Sequence, residues 1–144
     1  AFNRYENGAW GAFSGGTTIT SGTNTVATSE TTTSATYTDL ATGGPAVTVT
    51  VGAGGNALVT ISAIIITGDA GNAAFMDVAL TSGNSRSASD TTALQNENID
   101  RIRASSTFLL TGLTAASTVF TAKYRIPGGA TGTYANRELS VLTW

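Results

Sequence analysis

Cysteine and histidine are both absent from the 144 residues. Their absence removes disulfide staples, nearly every zinc, copper or haem site, and any Ser-His-Asp or Cys-His catalytic pair. It leaves the redox compartment open. Lysine occurs once, as Lys123, and only 11% of residues are charged, with a net charge of −2. Such a balance gives no electrostatic reason to expect nucleic acid as a partner. Long hydrophobic runs are missing too. Even the longest, such as Ala63 to Ile66, fall far short of the roughly twenty residues of a membrane-spanning helix, so no membrane partner is expected. No Asn-x-Ser/Thr sequon marks a glycosylated exterior. The opening Ala1-Phe2-Asn3 fits a cytoplasmic product trimmed of its initiator Met. Neither metal nor cofactor is expected.

What the chain has in abundance is Thr and Ser, 40 residues together, and 17 Gly. Scarce Lys, Gln and Met beside so many β-branched residues make a β composition. Residues 1–24 stand apart, with aromatics among glycines in "YENGAWGAF" and a small polar "SGGTTITSGTNT". They read as an arm and linker, followed by a β-sandwich domain over residues 25–144. Within it Val47, Val49 and Val51 alternate with Thr48 and Thr50, the pattern of a half-buried strand. "GAGGN" turns into a strand from Leu58 to Ile66, and "TGDAGN" turns into another from Ala73 to Thr81, which reads as two adjacent hairpins. Residues 85–105 lose the pattern and read as a long loop, with a short helix possible after Ser89 or Asp90. "STVFTAKYRIPGG" then places Phe120, Ala122, Tyr124 and Ile126 on one face and Lys123 and Arg125 on the other, in water, with Leu139 and Val141 closing a third hairpin. The predicted fold is all-β: a two-sheet antiparallel β-sandwich of jelly-roll or Greek-key type, with an extended N-terminal arm.

Motifs that mimic chemistry fail on context. Gly52-x-Gly54-x-x-Ala57 with Asp69 farther on imitates a dinucleotide fingerprint. That chemistry needs a helix N-terminus facing the pyrophosphate, and "LVTI" follows instead, strand-like and β-branched. Asp90, Glu97 and Asp100 share one irregular segment, where a carboxylate pair or calcium site could be imagined. The alternating oxygen ligands around a Gly are missing, and the acids read as solvated loop charges. Asp69 reads as a turn residue making an Asx-type bond. Lys123 has no S-x-x-K partner, so no catalytic residue is assigned.

Apolar residues are in excess. The two central strands place Ile64, Ile66 and Phe75 on faces that a simple sandwich leaves to water. Either the 85–105 loop or the arm covers them, or they form a subunit interface; the interface reading is preferred. In the arm, Phe2, Tyr5, Trp10 and Phe13 have no core partners among their glycines, and serve as anchors to another protein, since a few aromatics usually carry most of an interface's energy. The competing use is sugar stacking, with Trp10 and Tyr134 as the candidate rings.

"SATYTDLATGGPAVTVTVGAGGNALVTISA" and "FLLTGLTAASTVFTAKYRIPGGATGTYANRELSVL" resemble a β-domain of tailed-bacteriophage virion proteins, especially minor tail, fibre or head-surface proteins of actinobacterial phages. The similarity spans roughly residues 28–143 and rests on Tyr37-Thr38-Asp39-Leu40, the Val-Thr alternation, Leu110-Thr111-Gly112-Leu113 and Phe120 to Arg125. The resemblance implies a non-enzymatic virion component, assembled in the host cytoplasm. It implies a homotrimer whose arm binds the major capsid or another virion protein. Heptads, collagen-like repeats and shaft repeats are absent, which favours a short capsid decoration or head-fibre subunit over a long receptor-binding fibre. The alternative is a carbohydrate-binding module or adhesin contacting host surface glycans.

Overall fold

The structure is a computed structural model that describes residues 18–144, together with the backbone of residues 3–6 and 9–12. Eleven strands are present among the described residues: β1 (Asn3–Glu6), β2 (Ala9–Ala12), β3 (Thr20–Val26), β4 (Glu30–Thr32), β5 (Ala46–Thr50), β6 (Ala57–Thr67), β7 (Ala74–Thr81), β8 (Leu94–Asn96), β9 (Ile102–Leu110), β10 (Ser117–Arg125) and β11 (Gly132–Thr143). None of these residues forms a helix. The chain is all-β because nearly every patterned segment alternates with period two, and two packed antiparallel sheets bury the apolar half of each alternation.

One sheet runs in the order β5-β10-β7-β8 and the other β3-β11-β6-β9, with β4 extending the β3 edge beside β11. The pairing is nested: β3 with β11, β5 with β10, β6 with β9, and β7 with β8. First with last, second with penultimate, is the connectivity of a long hairpin rolled into a jelly roll. Val47 and Val49, the odd residues of β6 from Ala57 to Ile65, Met76, Val78, Leu80, Phe120, Ala122, Tyr124, Leu139 and Val141 fill the space between the sheets.

The turns fall where the sequence places them, but the three expected hairpins are corners between sheets. β5 and β6 lie in different sheets, as do β6 and β7, and β10 and β11. Only β7 and β8, among consecutive sandwich strands, are paired neighbours. A Gly-rich turn reverses the chain in either case; which sheet receives the next strand depends on partners far away in sequence. Residues 20–24, read as linker, belong to the sandwich, since β3 pairs with β11 from Thr20↔Thr143 to Val26↔Arg137. Gly22 shows why this stretch looked patternless: a Cβ there would collide with Val47 Cγ1 of the opposite sheet, so a close approach of the two sheets is carried by a residue without a side chain. Residues 3–6 and 9–12 pair as antiparallel strands, β1 with β2.

Candidate functional site

The two outer sheet faces differ, and the difference begins with β10. Its outward residues Lys123 and Arg125 do not reach into open water. Lys123 Nζ donates to both carboxylate oxygens of Asp39, each at 2.8 Å. Arg125 grips the Asp90 carboxylate with two donors, Nε at 2.8 Å and one terminal nitrogen, and gives its other to the Ala35 carbonyl at 3.1 Å. Tyr37 donates its hydroxyl to the same carboxylate at 2.9 Å. The Arg125 guanidinium lies over both Tyr37 and Phe75, 5.5 and 4.8 Å from the ring centroids. Tyr37 and Asp90, from two segments distant in sequence, thus meet above Phe75. Arg125 holds the Asp90 carboxyl below the usual carboxylate range, and burial pushes the Tyr37 hydroxyl up, with Asp90 adding to it.

Next to this clasp, Asp77 is fully buried on the outward face of β7. It accepts hydrogen bonds from the Ser89 amide at 2.7 Å and the Thr92 hydroxyl at 2.9 Å, and pairs with Arg86 at 3.0 Å. Arg86 also donates to the Val78 carbonyl and Thr92 hydroxyl and lies over the Phe108 ring. The segment 86–93 therefore covers the four-stranded sheet. Asn96 organises the stretch that follows: its buried amide donates to the carbonyls of Ile65, Asn98 and Asp100 and accepts from the Asn98 amide.

A second buried charge lies at the β11 bulge. The register of β11 against β6 shifts between Ala135 and Glu138, with Asn136 at φ 46. The extra residue turns Arg137 into the interior, 0% exposed. It donates to Glu30 at 2.8 Å and, at 3.4 Å each, to the carbonyls of Thr28, Thr42 and Gly44, with its guanidinium over the Tyr124 ring. Hydrogen bonds from Thr42, reinforced by Arg137, hold the Glu30 carboxyl below its ordinary range. This cluster ties β4, the 40–45 segment and β11 together. It is a clamp in which every accepting oxygen faces a donor.

The outer face of the five-stranded sheet is different in kind. By register, Leu142, Leu58 and Leu109 form one row across three strands, and all three are exposed, at 38, 37 and 52%. The next row is hydroxyl throughout: Thr23, Ser140, Thr60 and Thr107, with Thr23 bonded to Ser140 at 3.1 Å and Thr60 to Thr107 at 2.9 Å. A depression of about 420 Å³ lies between the rows, with Gly22, Thr23, Thr60 and Ser140 against Leu58 and Leu142. Farther along, Glu138 and Arg103 pair with each other at 3.5 Å.

The residues singled out by sequence fall as follows. Ile64 and Ile66 are half-buried on this same face, beside Ala135 and Thr133. Phe75 is not with them: it is 8% exposed on the other sheet, capped by Arg125, so local cover and not a partner buries it. Asp90 is clasped by Arg125 and Tyr37 while its side chain stays 44% exposed, and it is engaged away from the Asn96 stretch that holds Glu97 and Asp100. At the "TGDAGN" turn the side-chain bond comes from Thr67, whose hydroxyl accepts from the Asp69 amide, in place of the Asx bond. Gly52 and Gly54 have a packing reason: a Cβ on either would come within 3.0 Å of the Trp144 backbone. Tyr134 is fully buried, which removes it as a sugar platform. Phe2 and Phe13 lie outside the described residues; Tyr5 and Trp10 are register partners in the β1–β2 hairpin, their side chains likewise undescribed. Sequence reasoning missed the burial of Arg137, although a signal existed. Tyr134 and Leu139 both point inward from positions of opposite parity, which requires an inserted residue between them.

Fold and faces together define a jelly-roll sandwich with one sheet capped by its own chain and the other presenting leucines and hydroxyls. Among the described residues no group of three His, Cys, Asp or Glu side chains converges as a metal site. No family model matches the chain, and no curated protein matches it. Among solved structures, that of Eiger TNF from S. frugiperda is similar at 9% sequence identity and a TM-score of 0.42, over 81% of this chain and 91% of that one. A likeness that distant carries no argument here, and the sandwich rests on its own strand pairing.

Proposed function

We propose that this protein is a structural subunit of a tailed-bacteriophage particle surface, a capsid decoration, head-fibre or minor tail protein, acting without catalysis by binding copies of itself and another virion protein. The observation that carries the reading is the use made of charge. Asp39, Asp77, Asp90, Glu30 and Glu138 each face an arginine or lysine, in pairs that hold loops and edges in place. Chemistry on a substrate needs carboxylates with freedom to change proton state near a cleft, whereas a packing unit needs them fixed. The exposed leucines and hydroxyl rows supply a contact surface with almost no charge to desolvate. The expected assembly is a homotrimer in virions, formed in the host cytoplasm, with the aromatic hairpin as the attachment to the major capsid or a neighbouring virion protein.

Gold-labelled antibody against the chain should decorate intact phage particles in negative-stain micrographs, and particles without label would end this reading. Attachment is tested by removing residues 1–17 only, because β3 begins at Thr20 and a cut at residue 24 would break the sandwich. The truncated protein should fold and fail to co-sediment with particles.

A further inference from the structure

We infer that the outer face of the five-stranded sheet is the surface on which a second copy of this chain docks, with the Leu58-Leu109-Leu142 ridge of one copy over the hydroxyl-floored depression of the next. The inference deepens the proposed reading, since it rests on the chain associating with itself, and it names the face.

Three observations converge on a like partner. The first is shape: the ridge made by Leu142, Leu58 and Leu109 stands beside a depression that Leu58 and Leu142 wall on one side and the small Thr23, Thr60 and Ser140 floor on the other. With strands about 4.8 Å apart, three leucines in register make a ridge about 10 Å long, and a surface carrying both relief elements side by side can fit its own copy. The second is charge. Among the paired strand residues of this face the charges are one acid, Glu138, and one base, Arg103, paired with each other at 3.5 Å, so the strand surface of two copies can meet with little opposition of like charges. A partner bearing a charged patch would find no complement here. The third is contrast within the molecule. The four-stranded sheet covers its apolar outward residue Phe75 with its own Tyr37, Asp90 and Arg125, whereas the leucines of the other sheet stay exposed. Ile64 and Ile66, half-buried farther along the same face, extend the contact beyond the ridge.

The hydroxyl row suits this role. Thr23 with Ser140 and Thr60 with Thr107 each share one hydrogen bond across strands, so burying the row under leucine leaves one O–H per pair, rather than two, to find an acceptor.

The test uses the full chain. Light scattering and sedimentation across concentrations should show assembly of the wild type, and the double variant L58E/L142E, on an exposed face, should keep its circular dichroism. Its half-assembly concentration should rise at least about tenfold. Because the chain has no cysteine, single Thr60→Cys and Thr48→Cys variants report contact directly with a short bis-maleimide. Thr60 lies on the proposed face and Thr48 on the outer side of β5 in the other sheet. Cross-linking through Thr60→Cys and not through Thr48→Cys supports the proposal, and this readout stands even where the glutamates disturb folding. An oligomer that survives L58E/L142E and cross-links only through Thr48→Cys overturns the face while leaving self-association intact. Association lost on removing residues 1–17 but unaffected by L58E/L142E makes the chain's own hairpin the contact and also overturns it. A monomer at every concentration up to about 1 mM overturns both this inference and self-association, and particle labelling then decides the virion reading separately.

Discussion

Arg137 sits in an unusual position for an arginine: fully buried, yet ringed by the carboxylate of Glu30, three carbonyl oxygens and the face of Tyr124. Burial of the ion is tolerated because nearly every N–H is answered; among its buried polar atoms Nε alone lacks a partner. Removing the side chain leaves a hole and takes the guanidinium from four acceptors, of which the Gly44 carbonyl keeps the Tyr124 hydroxyl, so Arg137→Ala should lower unfolding free energy by about 3–5 kcal/mol, read as a shift of the urea midpoint. pH dependence follows from the carboxyls. Folded Asp90 and Glu30 titrate below their ordinary 3.8 and 4.5. Their contribution is therefore complete above that range and is lost as pH falls through the depressed values, so urea midpoints should be flat from about pH 5 to 8 and drop below about pH 4. Tyrosine gives the opposite limb. Burial raises Tyr37, Tyr124 and Tyr134 above the ordinary 10.0, which favours the neutral folded form; stability is full below pH 10.0 and declines above it. In an alkaline spectrophotometric titration these three should ionise only as the protein unfolds.

At the scale of the element, β10 joins core to cover. Phe120 on its inner side is fully buried, and Phe120→Asp should abolish the cooperative thermal transition by placing a carboxylate in the apolar interior. On its outer side Lys123 and Arg125 differ in consequence. Lys123 pairs with an Asp39 that is half exposed, so Lys123→Thr should cost no more than about 1 kcal/mol. Arg125 instead joins the 34–40 and 86–93 segments over Phe75, and Arg125→Met should speed amide exchange in those two segments while leaving β6 and β11 protected. Edges matter as well. Gly22 is where β3 crosses the valines of β5, and Gly22→Ala should destabilise by about 1–3 kcal/mol through overpacking, measured against the wild type in the same urea titration.

For the molecule as a whole, the nested pairing of β3 with β11 and β5 with β10 makes most contacts non-local, and refolding should take milliseconds to seconds rather than microseconds, as stopped-flow fluorescence of Trp144 would follow. The division of labour between the sheets is also a property of the whole. Strand alternation in Val47 to Val51, in β6 and in Phe120 to Ile126 was legible from residue order, because period two is a local consequence of the pleat. Turn positions were legible for the same reason, through glycine. The absence of Cys and His likewise settled, with no coordinates, which staples and metal sites the chain could not build. Three things were decided only in three dimensions. Whether each turn made a hairpin or a corner depended on pairing partners as far apart as Thr20 and Thr143. Whether a charged residue met water or a counter-charge depended on loops arriving from elsewhere, as Asp90 does at Arg125 and Glu30 at Arg137. Which apolar outward residue was covered and which left bare depended on where those loops ended, and this separated Phe75 from Leu58, Leu109 and Leu142. A sequence carries the alternation of each strand because neighbouring residues enforce it; it does not carry the meeting of distant strands, since that is set by the packing of the whole.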